Sequence, residues 1–219
     1  PLLYVPMDIS REHLLPSAKT LAEDYPWLSI HAVCGDYTAT WDWPFTLLQD
    51  SHRVAWFPGS SIGNSTPRQA VALLGRIAAL LDTGGGLLIG VDLIKDREIL
   101  EAAYNDSQGV TAGFNKNVLA RLNRELRADF VLEHFQHRAF YNVEEQRIEM
   151  HLVSDGEQTV RVANEIIRFR NGETIHTENS CKYSIAGFRQ LASRAGFEPR
   201  QVWTDADELF SIHYLQLQK

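Results

Sequence analysis

Cysteine is scarce, with Cys34 and Cys181 the only two in 219 residues. Two thiols are too few for a disulfide framework, and neither stands in the paired spacing of a zinc site, so the composition fits a reducing, cytoplasmic setting. No apolar run approaches the ~20 residues that a helix needs to cross a bilayer, and no secretory leader pattern is visible. No membrane partner is expected. Positive charge is also short: 21 Lys and Arg against 28 Asp and Glu leave a net charge of -7, with no basic stripe for a phosphate backbone. Nucleic acid is therefore not expected as a partner. No helical His-x-x-x-His pair occurs, and His134 and His137, three apart on a strand, would point to opposite faces, so no metal is expected. An initiator methionine is missing too, and Pro1-Leu2-Leu3-Tyr4-Val5-Pro6-Met7-Asp8 reads as a strand with no preceding turn, as if the chain opened inside a fold.

What is present suffices for a substantial core, since 44% of the residues are hydrophobic. Tyr4 to Met7 reads as a short buried strand ending on Asp8. Ser10 then stands where a helix cap belongs, ahead of Leu14, Leu15, Ala18, Leu21 and Ala22. Leu28 to Val33 is a second strand that closes on Gly35-Asp36-Tyr37. A third, central strand runs from Arg53 through Phe57 into the loop Pro58-Gly59-Ser60-Ser61-Ile62-Gly63-Asn64. Thr66 and Pro67 open a helix with Ala70, Leu73, Leu74, Ile77, Leu80 and Leu81 at 3.6-residue spacing, and Gly84-Gly85-Gly86 stops it. The continuous apolar run Leu87 to Val91 ends on Asp92, as in a strand covered on both faces of a parallel sheet. This alternation predicts a doubly wound α/β sheet.

From about Asp96 the pattern changes. Two helices, near Asp96 to Tyr104 and Phe114 to Arg127, are followed by strands with no helix between them. In Ile148-Glu149-Met150-His151-Leu152 apolar and polar residues alternate, which predicts an antiparallel sheet with one wet face. Val160 to Val162 and Thr174 to Ser180 read as further strands. A helix capped by Ser184 and strands over Phe197 to Thr204 and Leu209 to Leu217 then restore the first pattern. The chain is thus expected to hold an α/β domain in residues 1–94 and 183–219, with an inserted α+β domain in 95–182.

Ligands of open α/β sheets bind outside the carboxyl ends of the strands, so the residues there are the first candidates. Asp8 suits a ribose, whose vicinal hydroxyls a carboxylate can bridge, or it serves only to start the next helix. Asp36 and Tyr37 suit an adenine amino group and ring, or an ordinary turn with a core aromatic. Gly59 and Gly63 let backbone approach a ligand, and Asn64 both donates and accepts, as an amino-acid ligand requires, or it satisfies backbone groups of its own turn. Glu178 and Ser180, two apart on a strand, share a face and can offer a carboxylate and a hydroxyl to one ligand, although an exposed strand face has the same pattern.

Three stretches in order carry a resemblance: Phe57-Pro58-Gly59-Ser60-Ser61-Ile62-Gly63-Asn64; Ala103-Tyr104-Asn105-Asp106 with Gly109-Val110-Thr111-Ala112 and Phe114-Asn115; and Thr177-Glu178-Asn179-Ser180-Cys181-Lys182-Tyr183. Together they resemble the S-adenosylmethionine-dependent histidine N-alpha-methyltransferases of ergothioneine biosynthesis, from about Tyr4 to the C-terminus. The resemblance implies a Rossmann-like methyltransferase domain with a substrate domain inserted between its strands. It implies S-adenosylmethionine as cofactor, with Asp8 on the ribose, Asp36 and Tyr37 on the adenine, and Gly59 among the cofactor-binding residues. It further implies that Asn64 and Tyr104 grip the amino-acid end of histidine, that Glu178 and Ser180 bind its imidazole, and that Phe114 and Met150 line the pocket.

The family's glycine-rich loop after the first strand has no counterpart here, nor does the N-terminal segment that supplies tyrosines to the amine pocket, so a longer polypeptide is expected. Methyl transfer from a sulfonium asks chiefly for alignment of a neutral amine and exclusion of water, and no residue is assigned as a general base. Aromatic faces such as that of Tyr104 could favour the cationic product. A cytoplasmic monomer acting on a small amino acid is expected. Methylation of another aromatic amino acid such as tryptophan, and a truncated non-catalytic module, remain as alternatives.

Overall fold

A computed structural model describes residues 3–39 and 52–218. Pro1 and Leu2, the opening of the expected first strand, lie outside the described residues. The chain divides into two compact units, Pro1–Ser51 and His52–Lys219.

In the first unit each expected strand appears as two short pieces. β1 (Leu3–Tyr4) and β2 (Met7–Asp8) precede α1 (Arg11–Asp24), and β3 (Ser29–Ile30) and β4 (Val33–Cys34) follow it. β1 pairs with β3 and β2 with β4, both parallel, as a strand-helix-strand crossover requires. Pro6 divides the first strand because it has no N–H to give the ladder. Its carbonyl still accepts from Val33 N at 2.9 Å, between His31 N to Tyr4 O at 3.0 Å and Gly35 N to Asp8 O at 3.0 Å. The strand is less buried than its apolar composition suggests, with Tyr4 39% exposed. On α1 the inward stripe is Leu14, Ala18 and Leu21, while Leu15 turns outward. Ser10 occupies the cap position without a side-chain cap bond; Asp8 Oδ1 instead accepts from Ser10 N at 2.7 Å.

The second unit begins with β5 (Val54–Phe57), which leads through a 3-10 turn (Ser61–Asn64) to α2 (Pro67–Leu80) and β6 (Gly86–Asp92). The helix start is closed by a full capping box between Thr66 and Gln69, with Pro67 in the first turn. β5 and β6 are parallel, as expected, but β5 forms an edge of its four-stranded sheet among the described residues, not the centre. Leu87, Ile89 and Val91, which share one face of β6, are fully buried, and Ala70, Leu73, Leu74 and Ile77 of α2 are buried, while Leu88 on the other face is half-buried.

After β6 come α3 (Arg97–Tyr104), α4 (Val110–Leu126), β7 (Phe135–Asn142), β8 (Arg147–Ser154), the β9 (Gln158–Val162) and β10 (Glu165–Phe169) hairpin, and β11 (Thr174–Cys181). β7, β8 and β11 form an antiparallel sheet in the order β11-β8-β7. Its inner face carries Phe135, Ala139, Tyr141, Ile148, Met150 and Leu152, packed with Leu100 and Tyr104 of α3 and Leu119 of α4. α5 (Ile185–Arg194), β12 (Phe197–Thr204) and β13 (Phe210–Leu217) then return to the first sheet, where β13 lies antiparallel between β6 and β12.

The opposite face of the antiparallel sheet is not simply wet. Glu149, at its centre, is only 7% exposed. Arg147 gives Nη2 and Nε to Glu149 Oε1 at 2.7 and 2.9 Å, Asn142 Nδ2 adds a third bond at 3.0 Å, and His151 Nε2 lies 3.2 Å from Oε2. Polar side chains here cover one another in place of water.

Candidate functional site

The antiparallel sheet contains one irregularity, and it decides which side chains meet. His176 pairs with His151, yet Glu178 pairs with Met150, so Thr177 is an extra residue in β11. Without it His176 and Glu178 would share a face. The bulge sends His176 to the outer face beside His151 and Glu178 to the inner face beside Met150 and Ser180. Thr177 Oγ1 donates to Met150 O at 2.9 Å and holds the bulge closed.

Tyr104 reaches this inner face from the last residue of α3, whose end is clamped to β7. Asn105 donates Nδ2 to Ala139 O at 3.0 Å and accepts from Ala139 N at 3.1 Å. The Tyr104 carbonyl accepts from His137 Nε2 at 2.8 Å. His137 Nδ1 in turn faces Nδ2 of the buried Asn115 at 2.9 Å, and since an amide nitrogen only donates, Nδ1 accepts and Nε2 carries the proton. Asp106 accepts from Val110 N and Thr111 N, both at 2.8 Å, and so starts α4. The Thr111 and Val110 bonds hold its carboxyl down at about 2.

The Tyr104 hydroxyl donates to Ser180 Oγ at 2.8 Å. Between them lies Lys182, whose side chain is 0% exposed. Its ammonium donates to Asp92 Oδ2 at 2.7 Å, to Ser180 Oγ at 2.8 Å and to Tyr104 OH at 3.0 Å. Asp92 is delivered by the end of β6, and its Oδ1 also accepts from Lys95 Nζ at 2.6 Å. Lys182 is set over it because the chain leaving β11 is stitched to the end of β6: Tyr183 N donates to Asp92 O at 3.1 Å and Ile94 N to Tyr183 O at 3.0 Å. Burial raises the pKa of Glu178, against the opposing charge of Lys182.

The loop after β5 closes on the same end of the sheet. Gly59 and Ser60 both adopt the left-handed conformation, with φ of 74° and 58°, and Ser60 Oγ accepts from Asp92 N at 2.9 Å. A Cβ on Gly63 would stand 2.9 Å from Cys181 O and 3.4 Å from Ser180 Oγ. Gly63 is therefore small so that the loop can lie against β11, and not, as the sequence suggests, for approach to a ligand. Gly59 meets nothing within 4 Å; its φ is what calls for glycine. Asn64 ends the turn exposed, and its amide takes no partner among the described residues.

A family model described as histidine-specific methyltransferase, SAM-dependent, matches residues 2–217. The chain belongs to this histidine-specific methyltransferase family. A histidine N-alpha-methyltransferase of Mycobacterium tuberculosis is 40% identical over 204 residues, 92% of this chain and 63% of that protein. The chain thus spans less than two thirds of the length of that relative. Ergothioneine biosynthesis protein 1 of Neurospora crassa is 29% identical over 97% of this chain and 24% of its own length. Among solved structures, an S-adenosylmethionine-dependent methyltransferase from Clostridium acetobutylicum superimposes with a TM-score of 0.51 at 10% identity, covering 98% of this chain and 75% of that one. The chain has the α/β methyltransferase fold.

Within this family member, the sequence-derived candidates fall into groups. In the first unit Asp8 and Asp36 stand at the ends of neighbouring parallel strands, joined by the Asp8↔Cys34 pair. Asp36 Oδ1 accepts from Thr38 N and Thr38 Oγ1, both at 2.7 Å, and Tyr37 lies in the same turn. In the second unit Tyr104, Met150, Glu178 and Ser180 come together on one sheet face. Phe114 stands apart from that buried cluster, 66% exposed on α4. One face of the Tyr104 ring is already occupied by Lys182 Nζ at 4.9 Å, so that face is not open to a cationic product.

Sequence reasoning missed Asp92 and Lys182 as functional residues. A signal existed: Lys182 continues the alternation of Glu178 and Ser180, and Asp92 ends a buried strand at the edge where ligands bind. Nor does the sequence show that Glu149, His151 and His176 come together, with ligating atoms within 4.8 Å of one another. The two imidazoles are stacked, 4.5 Å apart and 14° from parallel, and Arg147 occupies Glu149 Oε1. Metal ligands must aim their lone pairs at one point, whereas stacked rings aim theirs along parallel planes. The group is built as a stack.

Proposed function

We propose that this chain forms the cofactor- and histidine-binding part of an S-adenosylmethionine-dependent methyltransferase that methylates the α-amino nitrogen of L-histidine in ergothioneine biosynthesis. The observation that carries the reading is the bulge at Thr177, which brings Glu178, Ser180 and Met150 to the face where Tyr104 ends α3. A carboxylate and a hydroxyl two residues apart suit an imidazole, which offers one N–H and one bare nitrogen in its neutral form. The family membership and the names of the relatives support the same substrate.

Glu178 accepts from the ring N–H, Ser180 takes the other ring nitrogen, and Met150 bounds the pocket. Asn64, exposed at the end of its turn, and Tyr104 hold the amino-acid end. Residues 95–182 act as the substrate-binding insertion, and 1–94 with 183–219 as the methyltransferase domain.

Asp8, Asp36 and Tyr37 hold the cofactor. Asp8 fits a ribose diol: it is exposed at a parallel strand end, and Ser10 N engages only one of its oxygens. When bound, S-adenosylmethionine supplies a methyl carbon already activated on sulfur. The chain's own part is to orient the amine, keep water out and let the amine lose its proton to solvent, for no general base stands among the assigned residues. Both cysteines are free, in keeping with a reducing cytoplasm, and no helix among the described residues is long and apolar enough to cross a membrane.

Calorimetric titration of the full-length protein tests the reading. Glu178→Ala should weaken histidine binding by about tenfold or more while sparing aliphatic amino acids. Asn64→Ala should weaken all amino acids and leave the cofactor affinity unchanged. Histidine affinity that survives both substitutions would overturn the assignment.

A further inference from the structure

Lys182 can only donate, and its three N–H bonds are spent on Asp92, Ser180 and Tyr104. The consequence lies on Ser180. Its oxygen has two lone pairs, and it accepts twice, from Lys182 Nζ at 2.8 Å and from Tyr104 OH at 2.8 Å. Its acceptor capacity is used up, while no acceptor among the described residues takes its own O–H. Ser180 is only 8% exposed, so a hydrogen left unpaired there would be costly unless a ligand receives it.

We propose that Lys182 fixes the hydrogen-bond polarity of Ser180, making it an obligate donor opposite the acceptor Glu178, so that the site selects a ring with one N–H and one bare nitrogen and rejects rings lacking the bare nitrogen. This rests on the histidine reading above and goes beyond it by naming a positioning residue that need not touch the substrate. The alternative arrangement, Ser180 donating to Tyr104, would send the outgoing hydrogen to the phenol instead. The phenol is the more acidic hydroxyl and the better donor, which keeps the shared hydrogen on Tyr104. Asp92 anchors the ammonium from β6 and keeps Lys95 as a second cation at 2.6 Å, so removal of Lys182 does not leave a bare carboxylate.

The probe is L-pyrrolylalanine, a histidine analogue in which C–H replaces the bare nitrogen. The full chain should bind histidine about thirtyfold more tightly than this analogue, because the buried Ser180 O–H has no acceptor in the second complex. In Lys182→Met, Ser180 recovers a lone pair and can turn, and the preference should fall to about threefold. Lys182→Gln puts an amide oxygen, an acceptor for the Ser180 O–H, where the ammonium could only donate, and should lower the preference in the same direction. If Lys182→Met does not fold, Lys182→Gln decides. A merely structural lysine would change both affinities alike and leave their ratio intact, which would overturn the proposal. A wild-type ratio near one would overturn it too, with the histidine reading still standing. No binding of histidine to the wild-type chain would overturn both.

Discussion

The two faces of the β11-β8-β7 sheet each hold a buried ionic group, and they use it in opposite ways. On the outer face Glu149 is enclosed by Arg147, Asn142 and His151, and His151 stacks between Phe140 at 5.3 Å and His176 at 4.5 Å. On the inner face Lys182 is matched by Asp92, but its two remaining bonds fall on hydroxyls, and one hydroxyl hydrogen is left over. A cluster that consumes all its polar capacity internally has nothing to offer a ligand. One that ends on an unspent O–H does. Burial and charge look alike on both faces, and the hydrogen-bond count tells them apart.

The largest effect should come from unbalancing the inner face. Asp92→Ala takes from the fully buried Lys182 ammonium the carboxylate it is bonded to, and breaking a buried pair in this way costs about 3–5 kcal/mol. Urea unfolding of the full chain should show the loss as a lower midpoint at unchanged slope. A loss below about 1 kcal/mol would mean that the ammonium finds water, and would erase the contrast between the faces.

The outer face should be easier to break. Burial works to raise the Glu149 pKa, but the bonds from Arg147, His151 and Asn142 together outweigh it and hold the group at about 2. A carboxyl lowered on folding stabilises the protein at neutral pH, and that contribution fades as pH falls from the unfolded value, 4.5, through 2. Glu149→Gln should therefore cost about 2 kcal/mol at pH 7 and much less near pH 2.5, with histidine affinity unchanged. A stability difference that does not shrink with acid would locate the effect in packing and not in charge.

Much of this architecture was legible in the sequence. The Thr66-Pro67 helix start, the apolar run ending on Asp92 and the alternation through Ile148 to Leu152 all produced the elements they predict, because each rests on local chemistry or on a period. Tyr104, Met150, Glu178 and Ser180 were found and do meet. What stayed hidden depends on pairing across strands. Period-two counting gives His176 and Glu178 one common face, and only the ladder with β8 reveals the extra residue between them. Gly63 was read as room for a ligand because sequence cannot say that Cys181, far along the chain, fills the space. Glu149 was read as wet because its cover comes from Arg147 and Asn142, polar residues that the pattern assigns to solvent.

The finest test concerns the residue that separates the two faces. Thr177 Oγ1 donates to Met150 O, and this side-chain bond holds the extra residue out of the ladder. Thr177→Val keeps the shape and the β-branch but removes the donor, so about 1 kcal/mol of local stability should go, with little change in global unfolding. Amide exchange at 176–179 should then quicken by about fivefold while β7 is unaffected. Glu178 would spend part of its time turned from Met150 towards the side of His176, and histidine affinity should fall by about twofold to fivefold, less than the loss from Glu178→Ala. Faster exchange with unchanged histidine affinity would show that the bulge shapes the sheet without setting the site, and the division of labour between the faces would have to be sought in the Asp92–Lys182 pair alone.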